Sequence, residues 1–425
     1  MNKTEIRSER VGESYFRIRH PSGLTLLLCP MPQFNSSYAM FSTEYGSVDS
    51  AFRLVGEKEY FRIPDGTAHF LEHKMFESEK GDAFADYART GASANAFTSF
   101  DKTCYLFSCA DHFKESLEIL MGFVTDPYFT KETVDKEQGI IGQEIRMYDD
   151  SADWRVMFNL LDALYVRHPL RIDIAGTTDS IAEITAESLH KVYGAFYNLH
   201  NMVLTVAGNF RPEDVLEVAD RVLKPAPVLE VERLAVEEPR EVSKKRVEQR
   251  FPIAAPMFCL GFKEKPGDKR QNAVDSILDE VLGEIIAGEA SPLYRRLYDE
   301  GLINSTFGCE TLSGRDYIAT MYSGESRDPD RVCGEICDEI ERMAREGIDE
   351  EAFQRNRKAA WGRYVRMLGR VDSVAQALMN TWLSDMELYD LLDVIADMKK
   401  EDLEKRLREQ FDREYSALSV VYPEE

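Results

Sequence analysis

Residues 66–76 read GTAHFLEHKMF, a short stretch on which the interpretation of the whole chain rests. Neither Gly nor Pro follows its first residue, so the sequence predicts a helix. Residues three and four apart are neighbours on a helix, which brings His69, Glu72 and His73 onto one face. Two imidazoles one turn apart can bind a zinc ion, and the carboxylate between them can activate a water in the open coordination position.

The pattern His-x-x-Glu-His is the inverted form of the HExxH zinc motif. The chain contains 7 histidines, and chance produces this pattern in roughly one sequence in a hundred of such composition. Asp65 and Thr67 flank Gly66 at the start of the predicted helix, and either side chain can cap it. We therefore favour a zinc-binding helix over a coincidence.

A catalytic zinc site needs a third protein ligand. The pattern of residues 132–146, ETVDKEQGIIGQEIR, predicts a second helix on which Glu137 and Glu144 lie two turns apart on one face. One can bind the metal while the other orients a histidine ring or takes part in proton transfer. Spacing does not decide between them, and glutamates on helices are usually solvated.

At 425 residues the chain exceeds the size at which single hydrophobic cores stop growing, so two domains are expected. Residues 224–249 carry three prolines and many charges, which is typical of a linker. We predict an N-terminal zinc-binding domain at 1–228, a linker at 229–249 and a C-terminal domain at 250–425.

Both halves follow a similar order: an apolar strand, amphipathic helices, a second strand, further helices and a closing strand. In the first half the second strand is expected over AFTSFDKTCYLFSCA. The halves close on NMVLTVAGNF and YSALSVVYPEE, both rich in β-branched and apolar residues. The order predicts two similar α+β domains, each a mixed, mostly antiparallel β-sheet flanked by helices. The second has Asp279 and Glu280 where the first has Glu72 and His73, and so lacks a metal motif.

The net charge of −24 is not interrupted by a basic cluster, which excludes nucleic-acid binding. No apolar run is long enough for a signal peptide or a membrane span, so we expect a cytoplasmic protein without membrane contact. In that compartment the 7 cysteines are expected to be reduced thiols. Cys333 and Cys337 stand one helical turn apart, but no second ligand pair is near them, and a plain helix face is the simpler interpretation.

Several segments together resemble the pitrilysin/insulinase-like inverted-zincin metallopeptidases, in particular their half-length, processing-peptidase-like bacterial members. HFLEHKMFES matches the HxxEH helix of that family, GASANAFTSFDKTCYLF its Asn-Ala-x-Thr segment, and KEQGIIGQEI its Glu-x6-Glu helix. HPLRIDIAGTTDSI and FYNLHNMVLTVAGNF match the elements that close its first domain. The resemblance covers most of the chain and implies one half of a clamshell-shaped peptidase.

The resemblance implies a role for each residue of the motif. His69, His73 and Glu144 are the expected ligands of one Zn²⁺ per chain, Glu72 is the general base, and Glu137 is an outer carboxylate that supports the site.

The resemblance also implies a substrate-binding strand. Asn95 and Ala96 belong to an edge strand that pairs with an extended peptide, and Asn95 is expected to hydrogen-bond near the scissile carbonyl.

One segment departs from the family pattern. Catalytic members carry an Arg and a Tyr seven apart in the second domain, and the matching stretch here, SPLYRRLYDEGLINSTF, has Tyr298 and Asn304 at those positions, with Arg296 close but shifted. We therefore expect a heterodimer in which a related, zinc-less subunit supplies the pair, or else a homodimer.

The sequence thus predicts a zinc endopeptidase that hydrolyses short or unfolded polypeptides. The alternative is a non-catalytic, peptide-binding scaffold subunit of a two-chain complex.

Overall fold

Two β-sheets, one of seven strands and one of five, organise the residues that the computed structural model describes, which are 2–79 and 81–424. Each sheet lies in its own compact unit. Both sheets are mixed, mostly antiparallel and accompanied by helices, so the expected α+β class is confirmed. Unit 1 comprises Met1–Ile145, Asp173–Ala235 and Arg366–Tyr389, and unit 2 comprises Arg146–Ile172, Val236–Val365 and Asp390–Glu425.

The strands are numbered along the chain. They are β1 (Asn2–Arg7), β2 (Ser14–Arg19), β3 (Thr25–Pro30), β4 (Ser37–Thr43), β5 (Ala51–Leu54), β6 (Phe61–Arg62), β7 (Glu77–Ser78), β8 (Gly81–Asp82), β9 (Ser93–Thr98), β10 (Thr103–Cys109), β11 (Met202–Gly208), β12 (Val231–Arg233), β13 (Arg246–Phe251), β14 (Met257–Lys263), β15 (Gly308–Ser313), β16 (Ile318–Glu325) and β17 (Ser416–Pro423).

The helices are numbered in the same way. They are α1 (Thr67–Met75), α2 (Ala83–Thr90), α3 (Phe113–Thr125), α4 (Lys131–Asp149), α5 (Ala152–Leu164), α6 (Thr178–Ala182), α7 (Ala186–Phe196), α8 (Pro212–Val222), α9 (Lys269–Ala287), α10 (Pro292–Asp299), α11 (Pro329–Glu346), α12 (Glu350–Met367), α13 (Val371–Leu383), α14 (Asp390–Asp397) and α15 (Lys400–Gln410). Single 3-10 turns occur at Pro169–Arg171, Leu199–Asn201 and Arg413–Tyr415.

The main sheet of unit 1 has the order β1-β2-β3-β11-β4-β10-β9. Neighbouring strands within this sheet pair antiparallel, except β3 and β11, which run parallel. The central strand β11 is buried along its whole length, which explains its nearly continuous apolar sequence. Strand β9 forms one edge, so one side of its backbone has no neighbouring strand within the described part of the chain.

The stretch AFTSFDKTCYLFSCA is a hairpin and not the single strand that was expected. Strands β9 and β10 pair across it, and the backbone N–H of Ser99 donates to the carbonyl of Lys102. Ser and Asp in this short polar interval are residues that favour turns, and the continuous β-like pattern on either side concealed the reversal.

The sheet of unit 2 repeats the design of unit 1. Its order is β13-β17-β14-β16-β15, with β13 and β17 parallel and the other pairs antiparallel. This is the arrangement of β3-β11-β4-β10-β9 in unit 1. The expected similarity of the two domains is therefore confirmed at the level of strand order and direction.

The compact units cut across the expected division into 1–228, 229–249 and 250–425. Helix α5 belongs to unit 2, where it packs on β14 and β17, and helix α13 belongs to unit 1, where it packs on β4 and β11. Each helix has an apolar face that it buries on the sheet of its unit. The division by sequence remains a proposal about the two repeats.

The predicted linker is ordered at both ends. Strand β12 pairs with β5 in unit 1, and Arg233 donates to the buried carboxylate of Asp49 at 2.8 Å. Strand β13 pairs with β17 in unit 2. The prolines and charges indicate a connecting segment. Part of that segment is nevertheless β-strand, because it pairs with strands distant in sequence. Among the described residues, no helix combines the length and apolarity that a bilayer span requires.

Candidate metal centre

Helix α1 presents its two histidines on one face, as the spacing predicted. The rings of His69 and His73 have centroids 4.6 Å apart. Phe70, Leu71 and Met75 are buried, and their burial fixes the rotation of the helix about its axis. Strands β9 and β10 are among the elements that α1 contacts.

The start of α1 is not capped in the expected way. Gly66 is the N-cap residue, with φ 88°, and no side chain among the described residues caps it. Thr67 Oγ1 donates to the carbonyl of Pro64 at 2.6 Å, and the backbone carbonyl of Asp65 accepts from Ser180 Oγ at 2.9 Å. The prediction of a cap by Asp65 or Thr67 is wrong because the N-cap position falls on a glycine, which offers no side chain.

Helix α4 brings Glu144 to the two histidines. Its carboxylate oxygens lie 3.7 Å from His69 Nε2 and 3.4 Å from His73 Nε2. One ligand atom from each of the three residues lies within 4.8 Å of the others. Atoms bound to one tetrahedral zinc at about 2.0–2.1 Å are about 3.3 Å apart. The donor set and its spacing therefore fit a zinc ion with little rearrangement.

Glu137 lies at the Nδ1 side of the His73 ring, whereas Glu144 lies at its Nε2 side. Its Oε1 lies 3.0 Å from His73 Nδ1, and the Glu137 side chain is 11% exposed. In the neutral imidazole, a hydrogen bond donated by Nδ1 to Glu137 would leave the Nε2 lone pair of His73 available to a metal ion. The two glutamates that spacing could not distinguish thus take different positions around one imidazole.

The pKa values of the two histidines shift in opposite directions. Burial, assisted by the neighbouring His73, lowers the pKa of His69 to about 4. Burial also opposes charge on His73, but hydrogen bonds to Glu137 and Glu144 outweigh it and raise the pKa of His73 to about 10. Burial opposes ionisation of Glu137, yet its contact with His73 lowers its pKa overall. His69 is therefore the imidazole that favours the neutral form, and His73 is the one that favours the protonated form.

Glu72 lies on α1 between the two histidines and is largely buried. Burial raises the pKa of its carboxyl, although the hydrogen bond from Thr98 acts in the opposite direction. Thr98 Oγ1 donates to Glu72 Oε2 at 2.7 Å and lies 3.5 Å from the carbonyl of Ala68. Thr98 ends the Asn-Ala-x-Thr segment, but no pattern in the sequence predicted its contact with Glu72.

The predicted substrate-binding residues lie on the edge strand β9. Asn95 is exposed, and its Oδ1 accepts from the backbone N–H of Ala96 at 2.9 Å. Both residues line a cavity of about 470 Å³ that also includes Glu72, His73 and Glu137.

The same cavity has apolar walls that sequence reasoning missed. Phe84 and Ile140 are each 46% exposed, and Phe76 stacks on Phe84 with ring centroids 4.4 Å apart. Two exposed apolar side chains beside a carboxylate-rich centre are the kind of mixed lining that binds ligands. Exposure cannot be read from sequence, so no pattern in the sequence distinguishes these three residues from core positions.

In unit 2 the residues at the positions of the family's Arg and Tyr contact other side chains of the same unit. Tyr298 is 51% exposed and stacks on Tyr294 at 5.9 Å. Asn304 Nδ2 donates to a carboxylate oxygen of Glu325 at 2.7 Å. Arg296, the nearest basic residue in the stretch, forms an ion pair with a glutamate of α11.

Family models match both halves of the chain. The model described as "Insulinase (Peptidase family M16)" matches residues 62–178, which include the candidate ligands, and the model described as "Peptidase M16 inactive domain" matches residues 183–360. The Bacillus subtilis protein named "Uncharacterized zinc protease YmfH" is 36% identical over 98% of this chain and 99% of its own length.

Solved structures agree with the family models. The crystal structure of a protein from Alicyclobacillus acidocaldarius, described as M16-like, is 34% identical, has a TM-score of 0.91 and aligns over 100% of this chain and 98% of its own. A protease from Helicobacter pylori is 19% identical with a TM-score of 0.81, covers 99% of both chains and shows the shared fold alone.

Proposed function

The chain belongs to the insulinase family of peptidases, family M16, and on that premise we propose that it is a zinc-dependent endopeptidase acting on short or unfolded polypeptides. One observation carries the proposal. His69, His73 and Glu144, which come from two helices distant in sequence, offer ligand atoms within 4.8 Å of one another. Two imidazoles and one carboxylate are a ligand set of catalytic zinc sites, which leave a position open for water or substrate.

Each neighbouring residue has a role in this proposal. A bound Zn²⁺ would supply Lewis-acid polarisation of the scissile carbonyl and acidify the attacking water. Glu72 takes the proton of that water and delivers it to the leaving amine. Thr98 holds one oxygen of Glu72 through its 2.7 Å hydrogen bond, which keeps the carboxylate beside the reacting atoms. Glu137 orients His73 through Nδ1.

The edge strand β9 supports a peptide substrate in particular. An extended peptide can pair with the open side of β9, with Asn95 and Ala96 beside its backbone. Such pairing binds the main chain of any sequence, while Phe76, Phe84 and Ile140 offer apolar surface to one substrate side chain. The proposed substrates are therefore peptides with an apolar residue near the scissile bond.

We further propose that the active enzyme has two chains. Tyr298 and Asn304 stand where the resemblance places a substrate-binding Arg and Tyr, and Arg296 is held by an ion pair. A related, zinc-less subunit would supply that pair, with a homodimer as the lesser possibility. Purified alone, the chain is expected to bind zinc but to cleave peptides poorly, and robust cleavage by the isolated chain would contradict this division of labour.

The substitution Glu72→Gln tests the chemistry. Gln keeps the shape of the side chain and its acceptor for Thr98, so zinc content should stay near one ion per chain, by elemental analysis. The complex with its partner is purified through a tag on this chain, and its rate of cleavage of a quenched fluorescent peptide library is measured. The substitution should lower that rate at least about a hundredfold, the usual contribution of general acid–base catalysis. Wild-type rates in the variant would refute the role of Glu72. A wild-type chain without zinc would instead favour the scaffold alternative.

A further inference from the structure

The two helices that carry the candidate ligands are both attached to a third element, the short helix α6. Helix α1 supplies His69 and His73, and helix α4 supplies Glu144. A metal centre holds its geometry only if these helices keep their separation, because ligand positions tolerate displacements of only about 0.5 Å. The contacts of α6 with each helix therefore bear directly on the centre.

On the side of α1, the backbone approach is unusually close. A Cβ added to Gly66 would lie 2.4 Å from the carbonyl oxygen of Ala175, and one added to Gly176 would lie 2.5 Å from that of Asp65. Both glycines have positive φ, 88° and 72°. Ser180 Oγ adds a hydrogen bond to the Asp65 carbonyl at 2.9 Å. The residues that lead into α1 are thus packed against those that lead into α6, and Ser180 of α6 adds the hydrogen bond.

On the side of α4, one side chain makes the attachment. Gln138 Nε2 donates to the carbonyls of Ile181 and Ile184, each at 3.1 Å, and lies 3.5 Å from that of Ala182. These carbonyls are at the C-terminal end of α6, where that of Ile181 also accepts from the backbone N–H of Ile184 at 3.2 Å. Gln138 precedes Glu144 by six residues on the same helix, so its anchor acts on the helix that positions this ligand.

Helix α6 has few residues but is well fixed. Thr177 and Ser180 form a reciprocal capping box at its start. Ile181 and Ile184 are 2% and 1% exposed, which embeds the end of the helix in the core of unit 1. An element fixed in this way can transmit position from one neighbour to another.

We propose that α6 is a brace that sets the separation of α1 and α4, with Gln138 and Ser180 as positioning residues for the metal centre. The inference rests on the proposed zinc site. His73 and Glu137 also join the two helices directly, but that pair belongs to the centre itself. The brace lies outside the ligand set and fixes the helices before metal binds.

The affinity of the apo chain for Co²⁺ tests the brace without any turnover. Co²⁺ binds the same ligand types as Zn²⁺, and its visible absorption reports ligand geometry. Gln138→Met keeps a similar volume and removes the donor. It should weaken Co²⁺ binding about tenfold, the scale of lost outer-shell support, and alter the visible bands. Gln143→Met, the same exchange at an exposed position of α4, should change neither.

Two charged variants separate hydrogen bonding from charge. Gln138→Glu has the shape of Gln but cannot donate to the carbonyls of α6, whereas Gln138→Lys can. Simple electrostatics predicts that added negative charge strengthens cation binding and added positive charge weakens it. The brace predicts the reverse order, with the Lys variant binding Co²⁺ more tightly than the Glu variant.

Ser180→Ala provides a second probe should the Gln138 variants fail to fold, and it too should weaken Co²⁺ binding severalfold. The thermal midpoint of each apo variant is measured in parallel. Lower midpoints with Co²⁺ dissociation constants within twofold of wild type would overturn the brace and leave the zinc site standing. A wild-type chain that binds no Co²⁺ would overturn the proposed function and the brace with it.

Discussion

Removing the carboxylate of Glu137 should weaken zinc binding without removing a ligand. In the structure Glu137 Oε1 lies 3.0 Å from His73 Nδ1, and the two side chains are 11% and 25% exposed. Loss of such an outer-shell carboxylate weakens metal binding about 10- to 100-fold, or about 1.4–2.8 kcal/mol. A hydrogen bond to a charged group is worth about 1.5–3 kcal/mol, which agrees. We expect about a 30-fold higher zinc Kd for Glu137→Ala.

The measurement is a competition titration of the apo chain with a chromophoric zinc chelator at pH 7.5 and 25 °C. Glu137→Gln keeps an oxygen that accepts from His73 Nδ1, so its zinc Kd should rise less than that of the Ala variant. Glu132→Ala makes the same change of charge at an exposed position in the first turn of α4, and should leave the zinc Kd within twofold of wild type.

The order of the zinc Kd values of the three variants separates orientation of the imidazole from an effect of charge alone. If Glu137→Ala and Glu132→Ala bound zinc equally well, the contact between Glu137 and His73 would not support the metal. If Glu137→Gln were as weak as Glu137→Ala, charge alone, and not orientation of the imidazole, would be the contribution of Glu137.

Two further predictions concern stability. Burial opposes ionisation of Glu238, but hydrogen bonds from Lys263 Nζ and three backbone N–H groups lower its pKa. Its stabilisation is therefore present above the unfolded pKa of about 4.3 and is lost as the pH falls through the lower folded value. Glu238→Gln should cost about 2–3 kcal/mol at pH 7 and less near pH 3, by urea unfolding; an equal cost at both would contradict this sign. Gly66→Ala should lower the thermal midpoint, since its Cβ would lie 2.4 Å from the carbonyl of Ala175, whereas Gly139→Ala, with open space on α4, should raise it.

Much of the site could be predicted from local pattern. Helix periodicity places His69, Glu72 and His73 on one face of α1. It likewise places Glu137 and Glu144 on one face of α4, because side chains three, four or seven apart on a helix are near one another whatever surrounds them. In the structure α1 lies within one residue of the expected bounds, and α4 begins one residue earlier and ends three residues later than expected.

Other parts of the site depend on contacts between segments far apart in the chain. Thr98 reaches Glu72 from an edge strand 26 residues away, and Gln138 reaches α6 across more than 40 residues. A threonine or a glutamine carries no sequence signal for a partner that distant, since its hydrogen bond could be made locally or to water.

The sequence by itself determined the two helices that carry the candidate ligands, the chemical types of their side chains and the repeated α+β order, because these follow from periodicity and composition within short windows. Only the tertiary structure decided that Glu144 faces both Nε2 atoms while Glu137 faces Nδ1 of His73. It also decided that α5 and α13 join sheets remote from them in sequence. Those choices depend on the rotation and separation of packed elements, which are set by the burial of apolar faces across the whole unit and not by neighbours along the chain.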